Sequence, residues 1–231
     1  MPKVYPHNHK KLSINLLIKK ILSFIFPPRC VRCGVFNTFL CEDCLPQLAR
    51  NNEVTETGIM AAFNYHDPVV KKAIRYLKYH GIKDLAEPLA REMYSTFLTT
   101  TFDELMFNRG LGKIVVIPVP LHKKRQRKRG FNQAEELAKL FCTFDPKNFE
   151  VRTNLVFKIK NTLPQVKQKK RAERLKNLKG AFVVGYKKRI AGKTIVIIDD
   201  VATTGATIGE VKKVLQKAGA RKVFAIVAAQ G

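Results

Sequence analysis

The sequence predicts an α/β protein, a parallel sheet with helices on its faces, preceded by a small N-terminal cysteine module. Three observations predict it. The first is "KTIVIID" at 193–199, a helical pattern over 205–218 and "KVFAIVAA" at 222–229, which together read as strand, loop, helix, strand; a crossover of that kind joins parallel strands. The second is "KIVVIPVPL" at 113–121, a short β-branched apolar run of the type buried on both faces of a sheet. The third is "CVRCGVFNTFLCEDC", which sets Cys30, Cys33, Cys41 and Cys44 in two Cys-x2-Cys pairs with seven residues between them.

A chain of 231 residues suits one full domain plus a small module. The division we expect is an amphipathic N-terminal segment over 1–27, a four-cysteine module over 28–50 and the sheet domain over 55–231. A hydrophobic fraction of 45% excludes a disordered basic tail. The charge is the outlier: 43 Lys+Arg against 18 Asp+Glu gives +25. That field favours polyanions such as nucleic acid, nucleotides or pyrophosphate esters, with a solvated basic surface as the plain alternative.

In chain order, "LSINLLIKKILSFIF" at 12–26 spaces Leu12, Leu16, Leu17, Ile21 and Phe24 as one face of a helix, with Lys19 and Lys20 between. At about 1.5 Å per residue it covers roughly 22 Å, short of the ~30 Å hydrocarbon core. It is expected to pack on the protein, or to lie peripherally on the inner face of the cytoplasmic membrane. No small-residue cleavage site follows, so the chain reads as cytoplasmic.

Each Cys-x2-Cys pair can place two thiolates on one Zn²⁺, and two pairs close a tetrahedral site. Gly34 permits the tight turn such a knuckle needs. A reducing compartment disfavours the disulfide alternative. A closed four-sulfur site leaves no open position, so this zinc would be structural. Cys142, alone on a predicted helix, is expected in the core.

"IMAAFNY" at 59–65 reads as a strand, and Asp67-Pro68 as an N-cap with proline at the first helical position. Val70, Ala73, Ile74 and Leu77 then keep helical spacing to the stop at Gly81. A second helical stretch covers 84–107, regular from about Pro88. After the strand at 113–121, "HKKRQRKRG" holds six Lys/Arg in nine residues and is expected as a loop. Asn132 with Glu135 resembles a capping box opening a helix at 133–143. "GAFVV" at 180–184 reads as a strand. Ile208, Val211, Leu215 and Ala218 share one face of the last helix, which Gly219 ends.

"VIIDDVATTGAT" at 196–207 carries the chemistry. In an open parallel sheet, ligands bind beyond the carboxyl ends of the strands. Asp199 and Asp200 stand at such an end, and Val201, Ala202, Thr203, Thr204, Gly205, Ala206 and Thr207 lead into a helix N-terminus that favours phosphate. Two carboxylates beside that cradle suit sugar hydroxyls or a bridging Mg²⁺. Together they describe a 5-phosphorylated ribose. No Gly-Lys-Ser/Thr follows the glycine, so this is not a Walker A loop.

The stretch closely resembles the phosphoribosyl-pyrophosphate signature of type I phosphoribosyltransferases. "FPPRCVRCG", "VIPVPLHKKRQRKRGFNQAEELA", "NTLPQVKQKKRAERLKNLKGAF" and "DDVATTGAT" appear in the order of the ComF family, the ComFC- and GntX-like proteins. That resemblance spans residues 26 to 228 and implies a zinc finger on a type I phosphoribosyltransferase fold. It further implies that Asp199 and Asp200 hold the ribose hydroxyls, directly or through Mg²⁺, and that residues 203–207 hold the 5-phosphate. Arg125 and Arg129 would face the pyrophosphate, as planar guanidinium forks suit phosphate oxygens. Gln165, Arg171, Arg174 and Asn177 would lie in a hood segment, where "QVKQKKR" is more basic than the family pattern.

The family is linked to natural competence, with partners in the DNA-import machinery, and to the recycling of DNA. A non-catalytic single-stranded-DNA-binding factor is one alternative; an active nucleobase phosphoribosyltransferase of purine or pyrimidine salvage is another. Residues 167–179 hold seven Lys/Arg against one Glu and, with 122–130, could track a phosphate backbone. For catalysis, no convincing general base is visible: His66, His80 and His122 are candidates by type only.

Overall fold

The computed structural model describes residues 27–51, 58–106, 112–162 and 178–231. The expected N-terminal helix at 12–26 and the hood positions Gln165, Arg171, Arg174 and Asn177 lie outside the described residues. The chain divides into two compact units, Met1–Pro46 and Gln47–Gly231.

The first unit is built on its cysteines. Cys30 N–H donates to Val35 C=O at 2.8 Å and Gly34 N–H to Cys30 C=O at 3.0 Å, which closes a knuckle around the first pair. Gly34 takes φ +79°, a conformation only glycine adopts without strain. Around the second pair, Cys44 N–H and Leu45 N–H both donate to Cys41 C=O.

The second unit contains a five-stranded parallel sheet in the order β1-β7-β6-β2-β3, as the βαβ pattern requires. Its strands are β1 (Ile59–Asn64), β2 (Ile114–Pro118), β3 (Phe149–Val151), β6 (Thr194–Ala202) and β7 (Lys222–Gln230). The helices are α1 (Pro68–Arg75), α2 (Ala86–Met106), α3 (Lys123–Arg129), α4 (Gln133–Thr143) and α5 (Ala206–Lys217). The strands β4 (Val156–Lys158) and β5 (Phe182–Val184) form a separate antiparallel ribbon. β2 and the inner part of β6 are buried along their length, which explains their unbroken apolar runs.

On one face of the sheet, Ile195 and Ile197 of β6 pack with Val211 and Leu215 of α5 and with Val156 and Phe182 of the ribbon. On the other face, α2 and α4 bring Phe97 and Phe141 edge-on to Phe149 and Phe224. Cys142 is buried there, and burial pushes its thiol up to about 12, so it is inert core.

Two strand connections position the site. The chain moves outward from β2 to β3 on one side and from β6 to β7 on the other, so the order reverses between β2 and β6. That reversal is where an open α/β sheet leaves a crevice. The register then sets its depth. β2 pairs with β6 only as far as Pro118↔Ile198, while β7 continues along β6 to Ala202↔Gln230. From Asp199 onward, one edge of β6 is open among the described residues.

The basic stretch after β2 is a helix, not the expected loop. Its Lys, Arg and Gln are good helix formers, His122 Nδ1 accepts from Lys124 N–H, and Gly130 ends it at φ +79°. β6 is also longer than expected: the strand runs through both aspartates to Ala202. The turn before α5 is therefore only residues 203–205.

Candidate functional site

The open edge of β6 lines a cleft of about 360 Å³ at the carboxyl ends of β2 and β6. Val119 N–H donates to Ile198 C=O at 2.8 Å, which holds the segment after β2 against β6. Asn132, the N-cap of α4, fixes that segment from behind. Its Oδ1 accepts from Ala134 N–H and its Nδ2 donates to Val119 C=O, both at 3.1 Å.

Adjacent residues of a strand face opposite sides. Asp199 therefore shares the face of Ile195 and Ile197 beneath α5, and Asp200 shares that of Val196 and Ile198. Both reach the cleft, but only Asp199 also lines the small hollow formed by residues 201–208. Asp199 Oδ1 accepts from Asp200 N–H at 2.9 Å. Burial, reinforced by the Asp200 charge, raises the Asp199 carboxyl to about 7. Asp200 is 4% exposed; its Oδ1 pairs with Lys78 Nζ at 2.8 Å, and its Oδ2 is buried with no hydrogen-bond partner among the described residues.

Lys78 was not anticipated as a site residue. α1 continues into a π-helical turn, Tyr76–His80, which Gly81 ends at φ +67°. Such turns recur at functional sites. Here the turn delivers Lys78 and Tyr79 to the cleft. Burial disfavours the ammonium, but Asp200, reinforced by Asp199 and Tyr65, outweighs it and the Lys78 pKa rises. A signal existed in the sequence: after Val70, Ala73, Ile74 and Leu77, Lys78 occupies the next position of the same apolar stripe.

The loop over residues 203–205 meets α5 at Gly205, which takes φ +68°. The N-cap Gly205 has no side chain to cap the helix, and the first turn starts with Gly209 N–H donating to Gly205 C=O at 2.8 Å. The helix dipole at an N-terminus favours an anion. Thr203 and Thr207 line both the cleft and the hollow, with Val201 beside them. Thr204 Oγ1 accepts from Ala206 N–H at 3.4 Å, and Ala202 and Ala206 are buried beneath the turn.

Across the cleft stands α3. Arg125 donates to Thr162 C=O, and the Arg129 guanidinium lies 5.1 Å from the Tyr79 ring centroid. Lys158 of β4 completes the wall; burial, then Arg125, lowers its pKa to about 8. Lys78, Arg125, Arg129 and Lys158 thus face two carboxylates, which suits a polyanionic ligand with hydroxyls. Arg171 and Arg174 lie outside the described residues. Of the candidate bases, none of His66, His80 and His122 lines this cleft.

The four cysteines form a separate centre. Their Sγ atoms lie within 4.8 Å of one another, and Cys33 Sγ is 3.7 Å from Cys41 Sγ. A tetrahedral zinc with Zn–S of about 2.3 Å needs sulfurs about 3.8 Å apart. The residues fit a structural zinc. Among the described residues, no helix is long and apolar enough to cross a membrane.

Comparison with known proteins adds the family context. The family model for the phosphoribosyl transferase domain matches residues 127–231. The chain is 29% identical over 210 residues to Competence protein F of Haemophilus influenzae, covering 89% of this chain and 84% of that protein. It is 27% identical over 194 residues to Competence protein ComFC of Bacillus subtilis, covering 83% and 71%. It is 34% identical over 164 residues to DNA utilization protein YhgH of Escherichia coli (strain K12), covering 68% and 65%.

Proposed function

Because the chain belongs to the ComF/YhgH family of phosphoribosyltransferase-domain proteins, we propose that its cleft binds phosphoribosyl pyrophosphate with Mg²⁺, in the service of DNA uptake or DNA utilization. The observation that carries this reading is the open edge of β6, where Asp199 and the 203–207 turn line one hollow at the reversal of strand order.

Each part of the ligand meets matching chemistry. The 5-phosphate sits on the turn before α5, where the helix dipole and the Thr203 and Thr207 hydroxyls receive it. The ribose hydroxyls donate to Asp199. The pyrophosphate faces Arg125 and Arg129, whose forks match its oxygens. Asp199 and the orphaned Oδ2 of Asp200 are the groups that fit Mg²⁺. When bound, the ion neutralises charge on the pyrophosphate. The four cysteines fit a structural zinc, a closed site with no position left for a substrate.

If the protein transfers the ribosyl group, C1 gains positive charge as pyrophosphate departs. The groups that act are then those that stabilise the leaving group, Arg125, Arg129 and Lys158, and not a general base. Calorimetric titration of the zinc-loaded protein with phosphoribosyl pyrophosphate and Mg²⁺ tests the reading. Micromolar binding that Asp199→Ala/Asp200→Ala abolishes supports it; no binding by the intact protein refutes it.

One observation favours a second reading, single-stranded DNA on the same fold. A neighbouring cleft of about 710 Å³ lies between α3 and the ribbon, and Phe157 and Ile159 stand exposed on it beside Lys123 and Lys158. Exposed apolar groups among cations suit stacked bases and a phosphate backbone. DNA affinity that survives loss of the two aspartates separates this reading from the first.

A further inference from the structure

The acid pair is already partnered by a cation of the chain's own. Lys78 Nζ lies 2.8 Å from Asp200 Oδ1, and the two side chains are only 19% and 6% exposed. The lysine is held there from outside the sheet. Leu77 beside it is fully buried, and the π-helical turn that carries both is closed by Gly81 in the left-handed conformation. The groups around the pair are Asp199, Lys158 of the ribbon, Tyr65 after β1, and Arg125 and Arg129 of α3. Among the described residues, Lys78 rather than Lys158, Arg125 or Arg129 is ion-paired to an acid of the site.

We propose that Lys78 is a tethered counter-cation that holds Asp200 in place and keeps the empty acid pair from capturing a divalent metal. When both are ionised, two adjacent carboxylates without a cation carry −2 and form a ready site for a hard divalent ion. With Lys78 bound, the net charge of the group is −1, and one carboxylate oxygen is already spoken for. A divalent ion arriving alone meets the ammonium as a like charge in a site of low dielectric. An ion arriving on a pyrophosphate brings its own compensating anion. The metal is therefore admitted with the ligand rather than before it. Lys78 acts through Asp200 and is a positioning residue, not a catalytic one.

The inference rests on the proposed function only for the identity of the ligand, and its test leaves that ligand out. Zinc-loaded, full-length protein is titrated with Mn²⁺ alone, and free Mn²⁺ is read by electron paramagnetic resonance. Lys78→Gln keeps a hydrogen-bond donor near Asp200 and removes the charge; Lys78→Met removes both; Lys78→Arg keeps the charge. The Gln and Met variants should bind one additional Mn²⁺ at least tenfold more tightly than the wild type, and Lys78→Arg should not. Adding Asp200→Asn to Lys78→Gln should abolish the gain. Equal Mn²⁺ affinity in the wild type and in whichever of the Gln and Met variants remains folded overturns the inference. A gain that survives Asp200→Asn overturns it as well. A parallel titration of the wild type with phosphoribosyl pyrophosphate and Mg²⁺ reports on the functional reading independently.

Discussion

Asp199→Asn should make the protein more stable while removing its function. The substitution keeps the shape of the side chain and deletes the charge that burial and Asp200 oppose. With the carboxyl raised from its ordinary 3.8 to about 7, the shift is about 3 units. At ~1.36 kcal/mol per unit, that sets a ceiling of about 4 kcal/mol above pH 7. Part of the side chain faces the open cleft, so solvent screens the charge and we expect about 1–2 kcal/mol. For a chain of this size that is a Tm increase of roughly 2–8 °C.

The sign with pH follows from the raised value. The native state holds its proton over a range where the unfolded chain has lost it, so the wild type loses stability as pH rises from about 4 to about 7. The advantage of Asp199→Asn should be full at pH 8, less than half as large at pH 5, and absent below pH 4. Thermal melts of both proteins at the three pH values are the assay. A variant that is no more stable than the wild type at pH 8, or one whose gain is the same at pH 5, refutes the reasoning.

Three further outcomes follow from the same geometry. Gly205→Ala places a side chain at φ +68°, which costs about 1 kcal/mol; it should lower phosphoribosyl-pyrophosphate affinity at least tenfold in calorimetry while the far-UV circular dichroism is kept. Chelation of zinc should unfold the four-cysteine unit and expose its thiols to a disulfide reagent, and Cys33→Ser should reproduce that accessibility without chelator. Lys158, protonated below about 8, should make affinity for the anionic ligand fall as pH rises through that value; Lys158→Arg should flatten this limb.

The parts of the molecule that were legible in the sequence are those where burial writes a pattern. β2, β6 and β7 are sealed on both faces, so their apolar runs announce them, and Asn132 and Asp67 cap their helices as their positions suggest. α3 was not legible because none of its residues is buried, leaving no periodic stripe in a run of Lys, Arg and Gln. β3 and β4 are three residues long, too short for alternation to register. Within the site, the turn before α5 was legible because its residue types have few other uses. The partnership of Asp200 with Lys78 was not: it depends on a π-helical turn 120 residues earlier in the chain, and on alternation that sends the two aspartates to opposite faces of β6.

The most direct test of the central claim is a crystal structure of the zinc-loaded protein grown with phosphoribosyl pyrophosphate and Mg²⁺. The account predicts the 5-phosphate on the backbone of residues 203–207, the ribose hydroxyls on Asp199 and the pyrophosphate against Arg125 and Arg129. A ligand seated instead in the cleft beside Phe157, or a fully occupied ligand whose phosphate avoids the 203–207 turn, would contradict it.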